Sequence, residues 1–325
     1  MPIVALSTYK APGLLSNGHV QTCFPVLFRR VKPVAYQRER ISTPDGDFLD
    51  LDWAKNGSRR LAILAHGLEG DSEQHYMLGM VGALSKHGWD AVAWNARGCS
   101  GEPNRVLRFT HSGATEDLQT VISHVTSTCS YSHLALIGFS LGGNLTLKYV
   151  GEQGRDLDSR IVAAVAFSVP CDLQSASIQL AKPANRIYMH RFLAMLRDKV
   201  QAMTRSMPEK INSRGYAQIR SFKDFDDRYT APMHGFADAE DYWRRCSCKP
   251  YLRSLQIPTL LVNARNDPFL AAPCYPMEEA ERSPNLHLDM PASGGHVGFV
   301  TFNGAGEYWS ETRTVAFLEG VWFQR

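Results

Sequence analysis

Leu134-Ala-Leu-Ile-Gly-Phe-Ser-Leu-Gly-Gly-Asn-Leu-Thr-Leu-Lys148 sets the architecture of this chain. Aliphatic residues run into Gly138-Phe139-Ser140-Leu141-Gly142, and good helix formers follow. The pattern predicts a buried strand, a very tight turn and a helix, with Ser140 at the tip. A serine on such an elbow sits in strained backbone, and flanking glycines relieve clashes with the strand and the helix. Its hydroxyl then stands at the positive end of a helix dipole. The pentapeptide alone is short and recurs by chance in surface turns; the strand before it and the helix after it give it weight.

On either side, the same strand–loop–helix rhythm repeats. Leu61–Ala65, Asp90–Trp94 and Ile161–Ser168 read as buried strands, with helices around Tyr76–His87 and Thr115–Ser127 between them. Thr115 or Ser112 is expected to cap the second helix. Such alternation predicts a mostly parallel sheet covered on both faces. Before it, Val34–Ile41 and Phe48–Trp53 alternate across Thr43-Pro-Asp-Gly46 and read as a hairpin. Residues 1–33 read as an irregular N-terminal arm anchored by Phe24–Phe28. The rhythm breaks at Pro170 and resumes near residue 250 with Pro258–Asn263 and Leu286–Met290, followed by a helix over Gly306–Val321. The expected organisation is therefore an arm over 1–33, an α/β core over 34–169 and 250–325, and a helical insertion over 170–249. Amphipathic, aromatic-rich and without strands, that insertion reads as a lid over the carboxyl edge of the sheet.

The 325 residues are 44% hydrophobic and 21% charged, as in an ordinary globular protein. A net charge of +3 with scattered basic residues excludes the basic footprint of a nucleic-acid binder. Seven dispersed cysteines without a C-x-x-C pair predict free thiols rather than a zinc site or a disulfide framework. No secretory signal and no bilayer-length apolar run is evident, so a soluble cytoplasmic protein with no integral membrane segment is expected. Oligomeric state is not legible.

Chemistry in an open parallel sheet gathers where strands end. A serine hydroxyl needs a base, commonly an imidazole oriented by a carboxylate. His296, in Gly294-Gly-His-Val-Gly-Phe299 past the last strand, is the candidate base. Asp267, after the preceding strand in Arg265-Asn-Asp-Pro268, is the candidate acid, with Asp172 in reserve. The tetrahedral oxyanion needs two backbone N–H donors, assigned to Leu141 and to Leu68 in the loop after Leu61–Ala65. Glu69 and Asp71 read as solvated or structural.

The quoted motifs, with Asn17-Gly-His-Val-Gln-Thr22, His66-Gly-Leu-Glu-Gly70, Asn95–Gly101, Pro103-Asn-Arg105, His111-Ser-Gly113 and Asp117-Leu118, span most of the chain. On them the sequence resembles the α/β-hydrolase superfamily, and within it the YheT-type hydrolases and ABHD-like esterases and lipases. The resemblance implies the α/β-hydrolase fold, with nucleophile Ser140, acid Asp267 and base His296. A His-x4-Asp pattern discussed for acyltransfer in that family fits His66 and Asp71, but His66 reads first as part of the oxyanion loop. The expected activity is hydrolysis of short- to medium-chain carboxylic esters through an acyl-serine, without metal or organic cofactor. The alternatives are acyl transfer to an alcohol on the same triad, or a catalytically silent binding protein on this fold.

Overall fold

A computed structural model describes residues 3–322. Eight strands form one sheet: β1 Gln37–Ser42, β2 Phe48–Ala54, β3 Arg60–Ala65, β4 Asp90–Asn95, β5 His133–Phe139, β6 Ile161–Phe167, β7 Thr259–Val262 and β8 Leu286–Asp289. Their spatial order is β1-β2-β4-β3-β5-β6-β7-β8. β2 runs antiparallel to β1 and β4, and the strands from β4 to β8 are parallel. The order reverses at β3, so the loops after β3 and β5 leave the sheet side by side, the place where such sheets build sites.

The strands are buried on both faces, as their continuous aliphatic runs require. Side chains still alternate between faces. Leu61 and Ile63 of β3 pack with Leu118, Ile122 and Leu145 on one side. Ala62 and Leu64 pack with Met77, Met80 and Trp309 on the other. Each Leu or Ile fully withdrawn from water here contributes about 1.5–3 kcal/mol, which makes the sheet the rigid floor for everything above it.

Two local expectations need correction. The arm is not irregular throughout: Gly18–Phe28 is a helix, because the Asn17 side chain accepts from the backbone N–H groups of His19 and Val20. The helix Thr115–Thr128 begins after Ala114, with no side-chain cap from Thr115 or Ser112. Within the insertion, the stretch from Tyr216 to Thr230 is a series of short turns: a 3₁₀ turn at Tyr216–Gln218, a helical turn at Phe222–Phe225 and a π-helical turn at Asp226–Thr230.

Between β6 and β7 the chain is helical, with principal helices Leu173–Leu180, Arg186–Ser206 and Ala239–Cys246 and no strand. This insertion has an apolar centre of its own, built by Leu193, Leu196, Val200, Tyr216 and Phe225 and closed on the core side by Phe109.

Candidate active site

Ser140 adopts φ +53° and ψ −117°, a conformation that a side chain rarely accepts. The neighbouring glycines make it possible. A Cβ on Gly138 would lie 2.4 Å from the Gly142 carbonyl oxygen, and one on Gly142 would lie 2.4 Å from the carbonyl oxygens of both Ala65 and His66. Strand β5 can therefore turn into the helix Leu141–Gln153 only with hydrogen at both positions, and the turn lifts the serine off the sheet edge.

Two loops from distant parts of the chain converge on it. His296 Nε2 lies 2.9 Å from Ser140 Oγ, and His296 Nδ1 lies 2.9 Å and 3.2 Å from the two carboxyl oxygens of Asp267. The Asp267 side chain is fully buried, and its Oδ1 also accepts from the Phe269 N–H at 2.9 Å. The Phe269 ring lies against the imidazole, centroids 4.2 Å apart. Asp172, the reserve acid, instead caps the helix Leu173–Leu180 by accepting from the Ser175 N–H.

The N-terminal helix braces both loops, a role that sequence reading missed. Asn266 donates to the Ser16 carbonyl and accepts from the Gly295 N–H. Thr22 Oγ1 accepts from the His296 N–H at 2.9 Å while donating to the Gly18 carbonyl. A Cβ on Gly18 would lie 1.9 Å from the Asn266 carbonyl oxygen. On the other flank, Ser168 Oγ accepts from the Val297 N–H at 2.8 Å. The motif Asn17–Thr22 thus holds the loops that carry Asp267 and His296, the candidate acid and base. Its letters were visible in the sequence; its partners, more than 200 positions away, were not.

Leu68 lies in a turn closed by a Gly70 N–H to Gly67 carbonyl hydrogen bond, and the Gly67 N–H donates to the Tyr76 hydroxyl. A Cβ on Gly67 would be 3.3 Å from Ser140 Cβ, so this turn borders the serine. Leu141 is the first residue of the helix after Ser140, where a backbone N–H has no intrahelical acceptor. Glu69 is not solvated. It holds φ +51°, and its carboxylate meets Lys199 Nζ of the insertion at 2.7 Å. Lys199 also donates to the Arg97 carbonyl and to Cys99 Sγ, so one ammonium from the insertion ties the turn to the loop after β4.

His66 faces away from chemistry. Its Nε2 accepts from the Ala96 N–H at 3.0 Å, which leaves Nδ1 to donate to the Gly67 carbonyl at 2.7 Å. Burial pushes its pKa down to about 4, so the ring is neutral and serves as a spacer between two loops. Asn144, on the elbow helix, is likewise architectural: it donates to the Ser112 and Cys246 carbonyls and accepts from the Cys248 N–H.

Two recesses meet at Ser140 and His296. One runs beneath the insertion, with walls that include Leu68, Leu141, Leu173, Phe225 and Trp243. The other opens beside the N-terminal helix along Cys23, Leu27, Tyr76 and Tyr188. Among the described residues, no group of three or more His, Cys, Asp or Glu is placed to hold a metal ion. No described helix is long and apolar enough to cross a membrane.

Several known proteins are similar to this chain. The alpha/beta hydrolase fold family matches residues 63–302. The chain is 38% identical over 294 residues to the YheT protein of Escherichia coli K12, covering 88% of this chain and 85% of that protein. It is 32% identical to the phospholipase ABHD3 of Homo sapiens, covering 91% and 75% respectively. The solved Pyrococcus furiosus esterase Pf2001 superposes with a TM-score of 0.60 at 20% identity, covering 90% of this chain and 96% of that one, a likeness of fold. With the elbow, the eight-stranded sheet and these relatives together, the chain belongs to the α/β-hydrolase family, in its ABHD-like group of ester hydrolases.

Proposed function

We propose that this protein hydrolyses carboxylic esters with short- to medium-chain acyl groups through an acyl-Ser140 intermediate. The observation that carries this reading is the hydrogen-bonded series from Asp267 through His296 to Ser140 Oγ, each link at 2.9 Å. As His296 Nε2 accepts the hydroxyl proton, Ser140 Oγ adds to the ester carbonyl carbon. Asp267 holds the imidazole with Nδ1–H toward itself and stabilises the imidazolium that forms. The oxyanion is received by the backbone N–H groups of Leu68 and Leu141. His296 then returns the proton to the departing alkoxide, and the alcohol leaves. Water, deprotonated by the same nitrogen, adds to the acyl-enzyme and releases the acid and Ser140.

The apolar recess under the insertion suits an acyl chain, and the recess beside the N-terminal helix suits the alcohol. In this reading the insertion is the lid of the site. All seven cysteines are free, in keeping with a reducing, cytoplasmic setting.

A fluorophosphonate probe tests the nucleophile. It is expected to label the wild type and leave Ser140→Ala unlabelled; equal labelling of both proteins sinks the proposal. Turnover of p-nitrophenyl butyrate is expected to fall roughly 10⁴-fold or more in Ser140→Ala and in His296→Ala, with the double variant little worse.

A further inference from the structure

The recess under the insertion is apolar along most of its wall, yet it includes two carboxyl residues: Glu69, paired with Lys199, and Asp226, which has no cationic partner among the described residues. Asp226 lines it together with Thr230, Tyr242 and Trp243. The residue is 8% exposed and belongs to the π-helical turn Asp226–Thr230, a distortion that often marks functional sites. Its two oxygens are held by neutral donors: Thr230 Oγ1 donates to Oδ1 at 2.7 Å, and Trp243 Nε1 donates to Oδ2 at 2.8 Å. A carboxylate offers about four acceptor positions, so two remain open.

An alkyl chain laid over this group would strip it of water and give nothing back, at a cost of about 1–3 kcal/mol or more. A cavity meant only for unsubstituted acyl chains gains nothing from such a residue. Burial also pushes the carboxyl pKa up to about 7, with Thr230 and Trp243 drawing it down and Asp227 adding to the rise. Near neutral pH the group is therefore divided between ionised and protonated forms, each of which keeps an acceptor oxygen, in surroundings such as Leu173 and Phe225. Those neighbours suit an uncharged donor better than an ammonium, whose remaining N–H groups would meet hydrocarbon.

We propose that Asp226 is a specificity-determining residue that accepts a hydrogen bond from a hydroxyl group on the substrate's acyl chain, with Thr230 and Trp243 as positioning residues. The preferred substrates are then esters of hydroxylated medium-chain acids. This inference rests on the assignment of that recess to the acyl group, and its test is arranged so that the two can fail separately.

Binding is measured by calorimetry on Ser140→Ala, which cannot turn the ligand over by the proposed route. The probes are methyl octanoate and methyl 8-hydroxyoctanoate, with the hexanoate and decanoate pairs to find the matching length. At one length the hydroxylated ester is expected to bind about 10- to 100-fold more tightly. Adding Asp226→Leu, which removes the acceptor, is expected to bring the ratio close to one, and the Thr230→Val background to reduce it if the leucine variant does not fold. Affinities equal within twofold at every length overturn the proposal. So does a ratio that survives Asp226→Leu. In wild-type enzyme the same preference is expected in kcat/KM. If no ester is turned over while the binding ratio holds, the acyl-serine mechanism fails and the hydroxyl site stands.

Discussion

At the scale of single residues, environment separates two kinds of carboxylate. Asp267 is surrounded by donors: the imidazole on one side and the Phe269 N–H on the other. Asp226 sits among rings and aliphatic side chains, and burial lifts its pKa to about 7 against the hydrogen bonds from Thr230 and Trp243. That rise has a definite sign in stability. A group with a raised folded pKa binds its proton more tightly in the native state than in the unfolded one, where it titrates near 3.9. Its favourable contribution is complete below about pH 4 and is lost as pH climbs to about 7. The unfolding free energy of wild type minus that of Asp226→Asn, from urea titrations, is expected to decline across this window. The decline is at most about 1.4 kcal/mol per pH unit, and the difference levels off above pH 7. A difference that rises with pH, or stays flat, contradicts the burial of an unpaired carboxyl. The ionisable groups that act on it are Asp227 and Tyr242, and the Asn replacement adds no charge in this range.

At the scale of elements, two braces hold geometry that the sheet alone does not. The helix Gly18–Phe28 fits against the Asn266 backbone so closely that Gly18 has no room for a methyl group. Gly18→Ala is expected to displace the acid and base loops by a fraction of an ångström to an ångström. That lowers kcat about 100-fold, while the circular dichroism spectrum is unchanged. The second brace is the Lys199–Glu69 ion pair, both side chains nearly buried, between the insertion and the turn that carries Leu68. Lys199→Met is expected to reduce kcat by about 10- to 100-fold with KM little changed, because the Leu68 N–H proposed as an oxyanion donor would shift, and such a donor serves the transition state more than the ground state. A rise in KM with kcat intact would place Lys199 in substrate binding instead. Elements were read well from sequence where apolar periodicity was long, as in β3, β5 and Thr115–Thr128. They were read poorly where a short polar signal decided. Asn17 starts a helix from a loop-like stretch, and Phe222–Thr230 breaks into turns that no period announces.

At the scale of the whole molecule, the order Ser140, Asp267, His296 and the strand ends behind it were legible, because strand, turn and helix signals are local. The ties between distant segments were not. Asn95, Arg97, Asn104 and Asp117 stood out as motif letters without a role, and the structure gives them an architectural one. Arg97 is 3% exposed and forms a two-pronged pair with Asp117 at 2.8 and 2.9 Å, while its Nη1 reaches Asp47 of the hairpin turn at 3.0 Å. Asn104 adds a further bond to Asp47. Arg97→Met leaves two buried carboxylates without a counter-charge and is expected to cost about 3–5 kcal/mol in chemical denaturation. A loss under 1 kcal/mol would mean that the hairpin is held by its strand pairing alone.

The convergence of segments also has a consequence in time. Ser140 and His296 are 156 positions apart, and synthesis proceeds from the N-terminus at about 5–20 residues per second. Ser140 is therefore made roughly 8–30 s before His296 exists. On the proposed mechanism, the growing chain throughout that interval has a nucleophile that cannot be activated, so each molecule would acquire its reactivity only after its sheet has been translated in full.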